Sequence, residues 1–338
     1  MRILHAWEIG DGRGHTRNMR GLAAHPLLAQ YDHAFKTIRA DPIDIRPYIK
    51  PGQPWQARSF ADVLTVMGYG NKRILQRRLD KWRKAIDEAR PDVIIAESAP
   101  TAILAARGGP RVIAVGTPYG LPLTHLECFP DFNAAGIALL PHDKLPAPRE
   151  FETHAVVPFC YPSMDMYQAH RRDACTGPLV EIPVMPEVPH ATFAYLSAKH
   201  PQIKAILAAL AALSGPVRAY VDGKRFRSQG NLTILQAFDL VDEMARCTRV
   251  VHHAAMGISQ AALVAGRAQF AFPYHVENMQ NWLKLCAHGT ALGAGYAEQD
   301  RYAAMLAHPY DDRFYVAQHV ARQLPAANAA ETVASYLR

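Results

Sequence analysis

Apolar residues along the chain fall into short runs separated by stretches of helical spacing, and the alternation lays out two α/β regions. In the first, a strand over residues 2–6 precedes a helix over 16–30, and residues 60–64 and an amphipathic helix over 71–90 follow. The run Asp92-Val93-Ile94-Ile95-Ala96 has no polar alternation, as expected of a strand covered on both faces of a parallel sheet. A helix over 100–107 and a strand over 111–115 complete this half. Strands alternating with helices predict a doubly wound parallel sheet.

Between residues 121 and 190 the periodicity fails. Prolines crowd in from Pro141 to Pro189, and we read the stretch as irregular structure closing the first domain, with a linker centred on 177–189. Alternation resumes with a strand over 192–196, a helix over 203–213, a strand over 217–221 and a helix around 240–246. A strand over 249–251, a helix starting near Gly257 and a strand over 269–272 follow, ending in a polar turn at Glu277-Asn278. The expected organisation is a first domain over 1–176, a linker over 177–189 and a second domain over 190–338.

At 338 residues, 49% hydrophobic and 20% charged, the chain can bury two substantial cores, and no apolar run is long enough to span a bilayer. Five cysteines, odd in number and without paired metal-ligand spacing, point to a reducing compartment with neither disulfides nor zinc. The opening MRILHAW lacks the apolar stretch and cleavage site of a secretory leader, so the expected location is cytoplasmic. The net charge of +7 suits anionic partners. Its densest source is the helix over 71–90, where Ile74, Leu75, Leu79, Trp82 and Ile86 form one face and basic residues the other. That basic face is either solvated or in peripheral contact with an anionic membrane or an acidic acceptor. Aromatics are not interleaved with the basic residues, so nucleic acid is not expected as a partner.

Two turns carry candidate chemistry. The first, Trp7-Glu8-Ile9-Gly10-Asp11-Gly12-Arg13-Gly14-His15, spaces its glycines as G-x-G-x-G, which is not the dinucleotide fingerprint. The second follows the strand ending in His252-His253, where Ala254-Ala255-Met256-Gly257 leads into a helix whose exposed N–H groups favour an anion. No D-x-D pair or convincing His/Asp/Glu metal spacing occurs, and neither a Gly-x-Ser-x-Gly elbow nor a Walker loop is present.

At these residues the chain resembles the UDP-glycosyltransferase superfamily, in particular its UDP-glucuronosyltransferase-like bacterial members. The resemblance implies an α/β GT-B fold, two Rossmann-like doubly wound domains facing a central cleft, acceptor side first and donor side second. It further implies an inverting, metal-independent enzyme of the hexosyltransferase class that moves a sugar from a UDP- or dTDP-sugar donor to an unidentified acceptor hydroxyl. No cofactor is implied beyond that nucleoside-diphosphate sugar. By the same resemblance His15 is the general base, with Gly12 and Gly14 shaping its loop, and Glu97 orients the imidazole; Glu8 and Asp11 are alternative carboxylates. His253, Ala254, Ala255, Met256, Gly257, Ile258 and Ser259 are implied to hold the diphosphate, Glu277 and Asn278 the sugar hydroxyls, and Phe238 to lie near the nucleobase. The family's paired glycines are Ala254 and Ala255 here, its Thr or Ser after Gly257 is Ile258, its Gln is Asn278, and its orienting Asp is Glu97. Two other readings stay open: a non-catalytic sugar-nucleotide-binding protein and a nucleotide-sugar epimerase on the same fold.

Overall fold

The computed structural model describes residues 1–10, 14–43, 57–132, 144–180, 182–186, 191–293, 301–307 and 311–338. Contacts divide them into two compact units, Met1–Leu179 with Ala327–Arg338, and Val180–Ala326. Where the sequence reading extends the second domain to the C-terminus, the last twelve residues belong to the first unit.

The first unit holds five strands: β1 (Arg2–Trp7), β2 (Asp32–Thr37), β3 (Val93–Glu97), β4 (Arg111–Gly116) and β5 (Ala155–Pro158). They form one parallel sheet in the order β2-β1-β3-β4-β5. Ile3, Val93, Ile95, Ile113, Val115 and Val157 build a core on one face. Helix α1 (Gly14–Ala24) closes that core with Leu22, and the C-terminal helix α11 (Ala329–Ser335) closes it with Ala329, Ala330, Val333 and Ala334. Burial of those four side chains is the physical reason that the chain's end returns to this unit.

Four local assignments differ from the sequence reading or complete it. Helix α1 stops at Ala24 rather than at residue 30 because Pro26 disfavours helical backbone at His25. Residues 60–64 lie in a helix, α2 (Phe60–Val66), that buries Phe60, Ala61 and Leu64. The second strand is DHAFKT, a stretch the sequence reading left unassigned, and its burial is only partial because it lies at the sheet edge. The region read as irregular contributes β5, four residues long and ending in proline, which an edge position tolerates.

The basic helix is α3 (Lys72–Ala89), started by the Asn71 side chain, which accepts from the Arg73 and Ile74 amides at 3.1 and 3.2 Å. Trp82, Ala85 and Ile86 turn inward, as the spacing predicts. Arg78 is the exception on that face: buried, it donates to the Met67 and Asp41 carbonyls and lies over the Tyr69 ring. Helix α4 (Pro100–Ala105) follows β3.

The second unit has six strands: β6 (Thr192–Ser197), β7 (Val217–Asp222), β8 (Leu232–Leu235), β9 (Arg249–His252), β10 (Ala268–Ala271) and β11 (Ala291–Gly293). The all-parallel order β11-β10-β9-β6-β7-β8 is that of a dinucleotide-binding sheet. Helices α5 (Ile203–Ala211) and α9 (Tyr302–Leu306) cover one face with Ala194, Leu196, Ala219 and Val251; α6 (Leu240–Ala245) and α7 (Met256–Val264) cover the other with Phe193 and Val250. Helices α8 (Val276–Ala287) and α10 (Asp311–Gln323) complete the unit. Edge strands β8 and β11 were not legible in sequence, being three or four residues long.

In the first unit, a fully buried Glu8 accepts from the Thr101 amide at 2.8 Å and from the Thr101 hydroxyl, so its carboxyl caps α4, and Tyr69 bonds the same hydroxyl at 2.8 Å. Burial raises its pKa to about 7 against the pull of these hydrogen bonds and of Arg78. The folded state therefore holds a proton that the unfolded chain releases near 4.5. Stability should fall by about 3 kcal/mol as pH rises from 4.5 to 7, and Glu8→Gln should flatten that slope in urea unfolding measured across the window.

Candidate active site

In an open parallel sheet, ligands bind beyond the carboxyl ends of the strands where the winding direction reverses. The first sheet reverses between β1 and β3. Trp7 at the end of β1 is in register with Glu97 at the end of β3, so the turns leaving these strands are neighbours.

The Glu97 side chain is almost completely buried, and α1 supplies its partners. His15 Nδ1 lies 3.1 Å from Oε1, and the Asn18 amide donates to the same oxygen at 2.9 Å. His15 and Asn18 are three residues apart and so share a helix face. Burial raises the Glu97 pKa, and the bonds from His15 and Asn18 oppose the rise. The extra methylene of Glu over Asp therefore does not break the pairing, which closes at ordinary hydrogen-bond length.

The other edge of the imidazole faces Gly10. The Trp7 ring stacks on His15 with centroids 5.3 Å apart, and Arg39 lies over the Trp7 ring at 4.9 Å. Gly10 has φ +111°, and a Cβ there would come within 2.3 Å of His15 Nε2. Gly116, φ +122°, abuts the Glu97 Cγ in the same way, at 3.2 Å. With Nδ1 on the carboxylate and Nε2 beside a bare glycine, the ring can take a proton from a hydroxyl placed at Nε2.

Of the remaining residues of the first turn, Gly14 begins α1 with open space where a Cβ would stand. Gly12 and Asp11 lie outside the described residues. Glu8, one of the alternative carboxylates, turns to the α4 N-terminus instead of to His15, because the helix's free N–H groups bind it.

The second sheet reverses between β6 and β9. His252, at the end of β9, is buried with its tautomer fixed: Nδ1 accepts from the Ala254 amide at 2.9 Å, and Nε2 donates to the Gln269 side-chain Oε1 at 2.9 Å. His253 is 8% exposed and packs against the Tyr195 and Tyr274 rings. Burial, helped by His252, His275 and His200, lowers its pKa to about 3, so it is a neutral imidazole at pH 7. Its Nδ1 is a buried atom with no hydrogen-bond partner among the described residues.

Beyond His253 the backbone makes the turn that glycine would make in the resembling family. Ala254 has φ +60°, held by its amide bond to His252 and by its carbonyl, which accepts from Asn281 at 2.9 Å. Ala255 is extended, φ −64°, at the N-cap of α7, without a side-chain cap. A Cβ at Gly257 would meet nothing within 4 Å, leaving the start of α7 uncovered.

The side chains of Met256, Ile258 and Ser259 are buried, and the Ser259 amide donates to the Ala255 carbonyl at 3.0 Å, so only Met256 and Ile258 of the three can offer a ligand a backbone amide. At α8, Glu277 is half-buried and Asn278 is buried with an unpartnered Oδ1 among the described residues. Phe238 packs among Phe193, Tyr195 and Tyr220, with centroids 4.8–5.8 Å apart.

Sequence reasoning placed Gly10 in the glycine-rich turn and missed Asn18, Trp7, Gly116 and Tyr195. The spacing of Asn18 from His15 was the one available signal; the others depend on strand register.

A left-handed φ is costly for any side chain and most of all for a β-branched one. Ala254→Gly should stay within about 1 kcal/mol of the parent in urea unfolding, whereas Ala254→Val should lose about 2 kcal/mol or more. Equal losses in the two variants would show that the left-handed turn is not what limits this position.

No family model matches the chain, and no curated protein sequence matches it. Solved structures do. The glycosyltransferase SnogD from Streptomyces nogalater superposes with a TM-score of 0.60 at 15% identity, covering 99% of each chain. The Streptomyces sp. SF2575 glycosyltransferase SsfS6, complexed with thymidine diphosphate, gives 0.63 at 17% identity over 100% of this chain and 99% of its own. The spinosyn rhamnosyltransferase SpnG, also complexed with thymidine diphosphate, gives 0.65 at 13% identity over the whole of both chains. Two parallel-sheet α/β units of five and six strands, matched along their full length to these enzymes, give the chain the GT-B glycosyltransferase fold.

Proposed function

We propose that the protein is an inverting, metal-independent glycosyltransferase that moves a hexosyl group from a UDP- or dTDP-sugar to an acceptor hydroxyl. The observation that carries this reading is the His15–Glu97 pair at the switch point of the first sheet, with Nε2 beside Gly10. His15 Nε2 removes the acceptor proton while Glu97 steadies the imidazolium that forms. The acceptor oxygen attacks the anomeric carbon from the side opposite the diphosphate, which inverts the centre. The departing nucleoside diphosphate is met by the start of α7, by the backbone of Ala255 to Gly257, which the Ala254 turn positions, and by the orphaned nitrogen of His253. His253 is neutral, so the negative charge falls mainly to the helix and its N–H groups. Glu277 and Asn278 are assigned to the sugar hydroxyls, and Phe238 to the neighbourhood of the base. The thymidine diphosphate in the SsfS6 and SpnG complexes supports a pyrimidine donor.

The partner expectation at α3 belongs to the same proposal. Lys36, Arg39, Lys81 and Lys84 line a groove of about 620 Å³ between β2 and α3, with Glu88 the one acidic residue among the described residues that line it. This charge favours peripheral contact with anionic lipid. No described helix is long and apolar enough to cross a membrane. We place the protein in the cytoplasm, where its five free cysteines are kept reduced.

A panel of UDP- and dTDP-sugars should identify a donor whose nucleoside diphosphate is released on turnover. His15→Ala and Glu97→Gln should each lower kcat by about 10²-fold or more while nucleotide affinity by calorimetry is kept. Full turnover in His15→Ala removes the base assignment, and binding without turnover in the parent favours the non-catalytic reading. In co-sedimentation, vesicles containing phosphatidylserine should retain the protein at low salt, and Lys36→Gln and Lys81→Gln should each weaken retention about fivefold. Equal retention on neutral vesicles would refute the lipid contact.

A further inference from the structure

Two cysteines that the proposed reaction leaves unused lie side by side in the first unit. Cys160 follows β5 and is buried; Cys175, fifteen residues on, is partly exposed, and their sulfurs are 3.7 Å apart. The backbone is pinned on both sides of the pair. The Thr176 amide donates to the Pro158 carbonyl at 3.1 Å, and the Gly177 amide to the Cys160 carbonyl at 2.9 Å. A disulfide needs the sulfurs to approach to about 2 Å, a side-chain movement that leaves these bonds in place.

We propose that Cys160 and Cys175 are an oxidisable dithiol site, converted to an intramolecular disulfide by a small-molecule disulfide such as oxidised glutathione. Cys175 attacks first as its thiolate, forming a mixed disulfide and releasing one small thiol. The Cys160 thiolate then attacks the Cys175 sulfur and releases the second small thiol. Two protein thiols lose two protons and two electrons, and the small disulfide takes up both pairs as two thiols. Burial pushes the Cys160 thiol pKa well up, so the second step quickens with pH.

The surroundings tolerate the change. The Cys175 thiol donates to Asp165 Oδ2 at 3.6 Å in the reduced form, and oxidation removes that donor. Asp165 is not orphaned, because it keeps the buried Arg171 guanidinium and the Tyr167 amide, the latter at 2.8 Å.

The loop so closed supports the turn after β4. Arg171 donates to the Pro118 and Leu121 carbonyls at 3.3 and 3.4 Å, and the Tyr167 hydroxyl donates to the Tyr119 carbonyl at 3.4 Å. Gly120 in that turn abuts the hydroxyl of Ser98, the residue after Glu97. Oxidation therefore stiffens the structure beside Glu97 without altering a residue that faces the imidazole.

The full chain carrying Cys128→Ser, which removes the exposed cysteine, is incubated with oxidised glutathione and titrated for thiols after denaturation. Two of its four thiols should disappear, the mass should fall by two hydrogens with no adduct, and a digest should contain a peptide linking residues 160 and 175. The oxidised form should unfold roughly 5 °C higher, returning to the parent value on reduction. With Cys160→Ser added, the linked peptide should vanish and a glutathione adduct at Cys175 should persist. A lasting adduct at Cys175 without a linked peptide, four surviving thiols, or a link to Cys247 or Cys286 would overturn the pairing. A linked peptide with no rise in unfolding temperature would overturn the stiffening.

Discussion

Glu97 ends a strand that is buried along its whole length, and its carboxyl group cannot reach water. A carboxylate in that position must be given partners or kept protonated. The fold supplies both partners from one helix, with His15 and Asn18 on the face of α1 that lies against the strand end. The requirement works in both directions. It holds α1 against β3, and it fixes Nδ1 as the imidazole nitrogen that meets the carboxylate. The glycines at 10 and 116 are consequences of the same packing, since each is where a side chain would displace one member of the pair.

The second unit meets a different constraint, a chain that must reverse within two residues of a buried strand end. It does so with alanine in a left-handed conformation, held by His252 on one side and Asn281 on the other. Both residues are buried, and His252 is locked through Gln269. The strain of about 1–2 kcal/mol in such a turn is thus supported by a polar network. What remains exposed is backbone, the start of α7 without a side-chain cap, beside a neutral imidazole with one unpartnered nitrogen. That arrangement attracts an anion by dipole and N–H groups, with no formal charge from His253.

The first unit carries a second layer of polar burial at the start of α4. Glu8, Thr101, Tyr69 and Arg78 join β1, α4 and α3 through hydrogen bonds and a cation over a ring. The segment between Cys160 and Cys175 similarly joins β5 to the turn after β4 through Arg171. Each network fixes a loop at the carboxyl edge of the sheet, where side-chain positions decide the chemistry. The dithiol adds a covalent way of changing how firmly one of these loops is held.

The chain's local patterns determined a great deal. Continuous apolar runs announced the buried parallel strands β3, β4 and β9, and the glycine-rich and alanine-rich turns marked both switch-point loops, because such features are set by composition over a few residues. The edge strands β2, β5, β8 and β11 were not legible, since partial burial or a length of three or four residues leaves no period to read. Nor could spacing reveal that 60–64 is helical, that the C-terminal helix returns to the first unit, or that Glu8 caps α4 while Glu97 meets His15. The first two are decided by apolar side chains finding a core to close, the last by which buried polar group finds a partner across the sheet. That is a matter of strand register and helix placement between residues as many as 93 positions apart, and only the tertiary structure fixes it.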